Sequence, residues 1–138
     1  MYNIKVYIGN YDRTEFYSIM GKFFAERIYK RIMPYLVNDR NKIWYLFFKD
    51  DELAGFCGVN ICDTYTNFTD IYAIDKYQES NILNFMCEHL FVLYKSENIK
   101  VLTKNQSEID IWLRLDFKDV GEKGKYHNLL WEKKHEQN

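Results

Sequence analysis

Apolar and polar positions alternate from the start of the chain. Ile4, Val6 and Ile8 stand against Lys5 and Tyr7, the two-residue period of a strand over residues 3–8. Gly9, Asn10 and Asp12 break that run, and the period then changes. Phe16, Ile19, Met20, Phe23, Phe24 and Ile28 recur at intervals of three and four, which predicts a helix with one buried stripe, capped by Asp12 or Thr14. Pro34 ends or kinks this helix, and residues 35–37 begin a short second one.

Strands follow. Residues 42–48 are rich in aromatic and β-branched side chains, residues 49–52 form a polar turn, and residues 53–62 return. A further strand covers residues 68–74, after a polar connection with Thr64, Thr66, Asn67 and Thr69. Two adjacent hairpins predict an antiparallel meander. Ile82, Phe85, Met86, Leu90 and Leu93 then mark the strongest helix, which Ser96, Glu97 and Asn98 stop before an apolar strand over residues 99–103. Strand, helix and strand in succession predict a crossover, with strands 68–74 and 99–103 parallel. Ser107 caps a short helix carrying Ile111, Trp112 and Leu115, and residues 117–120 and 126–133 close as a hairpin across Gly121 and Gly124. The predicted class is α+β: one domain over residues 1–138, with a mixed, mostly antiparallel sheet of six to seven strands and three to four helices.

Composition narrows the function classes. A chain of 138 residues fits one compact domain. With 19 Lys plus Arg against 20 Asp plus Glu, there is no strong nucleic-acid signal. The longest apolar run, residues 43–48, is far short of the roughly 20 residues of a membrane span. Lys5, Asp12 and Arg13 interrupt any secretion signal, so a cytoplasmic location is expected. Cys57, Cys62 and Cys87 are odd in number and lack zinc spacing, which reads as reduced thiols.

Three local patterns resemble, in the same order, the GNAT superfamily of acyl-coenzyme A dependent N-acetyltransferases. Leu53, Ala54, Gly55 and Phe56 resemble the strand that opens after the family's hairpin. Ile71, Tyr72, Ala73, Ile74, Asp75, Lys76, Tyr77 and Gln78 resemble the strand and entry before its pyrophosphate loop. Asn105, Trp112, Leu115, Asp116 and Phe117 resemble its asparagine, tyrosine and Leu-Gly-Phe positions. The resemblance implies acetyl-CoA as acyl donor and a small-molecule or protein amine as acceptor. It places the pantetheine arm along Ile71, Tyr72, Ala73 and Ile74, and the pyrophosphate at Gln78, Glu79, Ser80, Asn81, Ile82 and Leu83, where a helix N-terminus attracts an anion. Asn105 falls on the cofactor side.

Four departures from the family pattern bear on activity. Asn81 stands where glycine is usual, and it suits a left-handed backbone better than most residues. Leu83 stands where a small residue lets the phosphate approach, and Glu79 adds a negative charge there. Trp112 stands where the family has a tyrosine acid, and an indole N–H donates hydrogen bonds but no proton. Trp112 either borders the cleft at the tyrosine's place or packs beside Leu115 and Phe117.

Asp63, Asp70 and Asp75 are turn-forming carboxylates or groups that attract an amine, with Asp70 the best candidate base. Tyr72 and Tyr126 are either sheet packing or replacement acids. His89 and His127 have no second His or Cys at metal-ligand spacing, so no metal is expected, and Cys57 reads as a buried strand residue. Lys22, Arg27, Lys30 and Arg31 form a solvated basic face. Three functions remain: an N-acetyltransferase, a catalytically inactive binding module of the same fold that acts by protein interaction, or a protein of that fold that binds a different acyl carrier or nucleotide. A homodimer is left open.

Overall fold

The computed structural model describes residues 2–39, 41–77 and 81–133. It contains β1 (Asn3–Tyr7), α1 (Arg13–Ala25), α2 (Arg27–Ile32), β2 (Ile43–Lys49), β3 (Glu52–Ile61), β4 (Thr66–Ala73), a 3-10 turn (Asp75–Tyr77), α3 (Ile82–Tyr94), β5 (Ile99–Thr103), α4 (Gln106–Arg114), β6 (Lys118–Lys123) and β7 (Tyr126–Trp131). The strands form one sheet in the order β1-β2-β3-β4-β5-β7-β6. Every neighbouring pair is antiparallel except β4 and β5, which are parallel across α3 as the crossover pattern requires. The class is α+β.

Apolar side chains on alternating positions supply two cores. In β2, Trp44 and Leu46 join Phe16, Met20 and Phe23 of α1, while Tyr45 and Phe47 join Met86 and Leu90 of α3 and Trp112 of α4. Burial on both faces explains why β2 reads as a continuous apolar run rather than an alternation. Asp50 and Asp51 carry the β2–β3 turn at φ 52° and 66°, the positive values that suit a two-residue hairpin. Gly55 of β3 leaves room for the second core. A Cβ there would lie 2.7 Å from Met86 Sδ and 2.9 Å from the Tyr72 carbonyl oxygen.

The first helical segment departs from the predicted pattern. It divides at Glu26, whose extended backbone (ψ 138°) ends α1 while its N–H donates to the Lys22 carbonyl. The short second helix is therefore α2, ahead of Pro34, and residues 35–37 are not helical. Asn105, rather than Ser107, caps α4, its side-chain oxygen accepting from the N–H groups of Ser107 and Glu108.

Candidate active site

The register of β4 sets the geometry. Phe56 pairs with Tyr72 but Gly58 pairs with Thr69, so β4 spends three residues where β3 spends two. The extra residue is a bulge, and Asp70 takes a φ of 52° within it. On its other side, β4 pairs with β5 only from Thr66 to Phe68, opposite Ile99 to Val101. Beyond these residues the parallel strands part, because β5 stays paired with β7 out to Thr103. The opening is a cleft of about 810 Å³. Asp70, Ile71, Tyr72 and Ala73 line one wall, and Leu102 to Asn105 with Ser107 and Glu108 line the other. The segment after α2 covers one end, where Tyr35 meets Tyr126 of β7 with ring centroids 5.8 Å apart.

Two buried carboxyl groups reach this cleft from opposite faces of the sheet. Asp70 lies on the α1 face, where Lys42 Nζ donates to its Oδ2 at 2.7 Å and to the Val37 carbonyl at 2.9 Å. The two side chains are 8% and 3% exposed, so this is an interior ion pair. Burial raises the Asp70 carboxyl above its ordinary value, against the opposing pull of Lys42.

Glu108 lies on the α3 and α4 face and has no cation partner among the described residues. Thr103 Oγ1 donates to its Oε1 at 3.1 Å, and Trp112 Nε1 donates to its Oε2 at 2.9 Å. Complete burial outweighs both bonds and pushes this carboxyl up to about 7. Burial, followed by the nearby Glu108, also raises the thiols of Cys57 on β3 and Cys87 on α3. Neither is an activated nucleophile.

A stability prediction follows from Glu108. Its folded form holds a proton more tightly than the unfolded chain, so the stabilisation is complete below about pH 4.5 and is lost as pH rises through about 7. The loss corresponds to about 3 kcal/mol. Thermal unfolding of Glu108→Gln across this window should show a flatter pH dependence than the parent. Identical slopes would remove Glu108 as the titrating group.

Compared with protein-family models and with curated protein sequences, the chain matches none. Solved structures do match. An acyl-CoA N-acyltransferase from Pseudomonas aeruginosa superposes with a TM-score of 0.70 at 9% identity, over 94% of this chain and 99% of that one. A GNAT family acetyltransferase from Elizabethkingia anophelis, with acetyl-CoA bound, gives 0.62 at 15% identity over 95% and 97%. The chain has the GNAT fold. The Campylobacter jejuni N-acetyltransferase PseH, in complex with acetyl coenzyme A, gives 0.60 at 16% identity over 97% and 100%.

Within the GNAT fold, Ile71, Tyr72 and Ala73 lie on the cleft wall. Ile74 lies outside it, with its N–H donated to the Ala54 carbonyl. Gln78, Glu79 and Ser80 lie outside the described residues. Asn81 flanks α3 at φ −81°, so no left-handed backbone accounts for an asparagine there. Ile82 packs its side chain into the second core, whereas Leu83 reaches the cleft rim. Asn105 lines the cleft and uses its side-chain oxygen to cap α4. Asp116 has a φ of 70° at the position that resembles the family's glycine.

Trp112 is fully buried, packed against Phe68 and Phe117 at ring-centroid distances of 5.6 and 4.8 Å. It lies outside the cleft lining, and the packing alternative describes it. Its N–H donates to the Glu108 carboxyl group. Asp63 is exposed and away from the cleft. Tyr126 lines the cleft mouth, beneath Lys104 Nζ at 5.6 Å from its ring centroid. His89 stacks on Phe85 with an interplanar angle of 15°, and burial lowers its basicity.

His127 lies in the last hairpin, where Asp119, Glu122 and His127 come within 4.8 Å of one another. The hairpin thus gathers side chains of kinds that can ligate metals, which spacing of His and Cys alone overlooks. The His127 ring already bonds Asp119 at 2.6 Å, and that bond raises its basicity. No helix among the described residues is long and apolar enough to cross a membrane.

Proposed function

We propose that the chain transfers an acyl group from acetyl-CoA to an amine. The supporting observation is the opening between β4 and β5, which runs through the sheet and holds a buried carboxyl on each face. A thioester donor entering beside α3 would run along Ile71, Tyr72 and Ala73, with Leu83 and Asn105 at the cleft edge. An amine approaching from the α1 face would meet Asp70, whose carboxylate Lys42 orients. Asp70 then accepts the ammonium proton, directly or through water, so that the nitrogen lone pair is free to attack. The purely protein-binding alternative leaves two buried carboxyls in one cleft without a use, so the enzyme reading is preferred. The acceptor is a small-molecule or protein amine, and a cytoplasmic location and a homodimer accord with this function.

Coenzyme A binding tests the proposal before any acceptor is known. A site with a dissociation constant near 10 µM should raise stability by about 2.7 kcal/mol at 1 mM ligand. Calorimetry and thermal shift should agree. No heat and no shift at that concentration would overturn the reading in favour of a module that has lost the donor.

A further inference from the structure

The position that resembles the family's tyrosine holds a tryptophan, and that tryptophan's indole N–H donates to a carboxyl group in the cleft. Glu108 is one helical turn before Trp112, on the same side of α4. The indole N–H and the Thr103 hydroxyl hold its two oxygens, and Thr103 Oγ1 itself accepts from the Asn105 N–H. The carboxyl is thus fixed by a helix, a strand end and a cap, while its residue is only 3% exposed. An interior carboxyl without a cation costs stability, which a purely structural group of similar shape would avoid. The titratable groups facing it are the thiols of Cys57 and Cys87, both neutral.

We propose that Glu108 is the proton donor to the departing thiolate, acting from the α4 face of the cleft. The inference rests on the acyltransfer reading above. In the step, the amine nitrogen forms a bond to the acyl carbon as the carbon–sulfur bond breaks. The electron pair of that bond goes to sulfur, and the Glu108 carboxyl proton follows it. The ammonium gives one proton to Asp70 before the attack, and the nitrogen releases a second to water as the amide forms. The products are therefore the amide, free coenzyme A thiol, the Glu108 carboxylate, protonated Asp70 and one hydronium ion. Solvent returns a proton to Glu108 and takes one from Asp70 before the next turnover. Burial suits the group to this role, since a carboxyl raised to about 7 is still largely protonated just below neutrality.

The test uses the full chain, acetyl-CoA and benzylamine, with turnover followed as loss of thioester. Glu108→Gln keeps an oxygen for the Trp112 N–H but carries no transferable proton. Turnover should fall about 100-fold or more with KM for acetyl-CoA nearly unchanged, and the alkaline limb of the parent's pH profile should disappear. Binding supplies a readout independent of turnover. In the Gln variant the thiol of bound coenzyme A, titrated by thiolate absorbance, should ionise about one pH unit lower, because a neighbouring negative charge is gone.

Trp112→Phe is the second variant, in case the first does not fold. It removes one donor to the carboxylate, so the alkaline limb should move to higher pH. Unchanged turnover in the Gln variant, an unmoved thiol titration or an unmoved limb in the Phe variant would each overturn the assignment. A parent chain that binds coenzyme A yet gives no turnover above buffer would also overturn it, leaving the donor site intact. A parent that does not bind coenzyme A would withdraw the acyltransfer reading itself.

Discussion

Trp112→Ala should destabilise the protein by about 3–5 kcal/mol, read from the midpoint of urea unfolding. The side chain is fully buried between Phe68 of β4 and Phe117 beyond α4, so truncation leaves a cavity under the floor of the cleft. It also removes the N–H that holds Glu108 Oε2, which adds a buried carboxyl oxygen with one partner fewer. Trp112→Phe should cost much less, because it keeps most of the aromatic contact. Should the alanine variant unfold at nearly the parent's urea concentration, the packing assignment of Trp112 would be wrong. A loss of this size is a large fraction of the 5–15 kcal/mol typical of a whole domain.

The second large effect concerns the ion pair inside the β4 bulge. Lys42→Met removes the cation that neutralises Asp70 and leaves the Val37 carbonyl without its donor. Stranding a buried carboxylate in this way costs about 3–5 kcal/mol. The double variant Lys42→Met with Asp70→Leu should recover much of that loss, since neither charge is then left alone in the interior. Simple addition of the two single-variant losses would show that the residues do not act as a pair. The recovered stability should bring no recovery of activity, since the double variant has no base.

The legible part of this fold is the part governed by period and chain order. Residues 99–103 are a short apolar run after a polar stop, and strand β5 has the expected bounds, while the stripe from Ile82 to Leu93 marks α3. The parallel placement of β4 and β5 follows from the strand, helix, strand order, in which the helix carries the chain back to the starting end of the sheet, rather than from any single residue. The break at Glu26 carries no such signal, because neither glycine nor proline stands there and only the extended backbone ends the helix. Glycine at the cap or a following proline would have marked it.

The site was less visible for a physical reason. Lys42 and Asp70 are 28 residues apart and meet only because β2, β3 and β4 are neighbours with a bulge that redirects Asp70. As letters, they are a strand-edge lysine and one aspartate among several. Glu108 went unnoticed because acidic residues are common in the first turn of a helix, where they face solvent and favour the dipole. Its spacing of four from Trp112 was the available clue, since a buried indole N–H needs an acceptor. The two carboxyls were therefore written in the sequence without the neighbours that change their chemistry.

The short seam between β4 and β5 also decides how the protein can yield. Three residue pairs join a four-strand plate, β1 to β4, to a three-strand plate, β5 to β7. Each plate keeps its own ladders whatever the angle between them, so the rotation that disturbs the fewest strand pairs is one about residues 66–68 and 99–101, resisted by the core that α3 and α4 share with both plates. A jaw hinged at its inner end widens most at its mouth and hardly at all near Phe68. Bulk added to a guest at the mouth is then absorbed by a small rotation, whereas bulk added at the vertex has to break the seam itself.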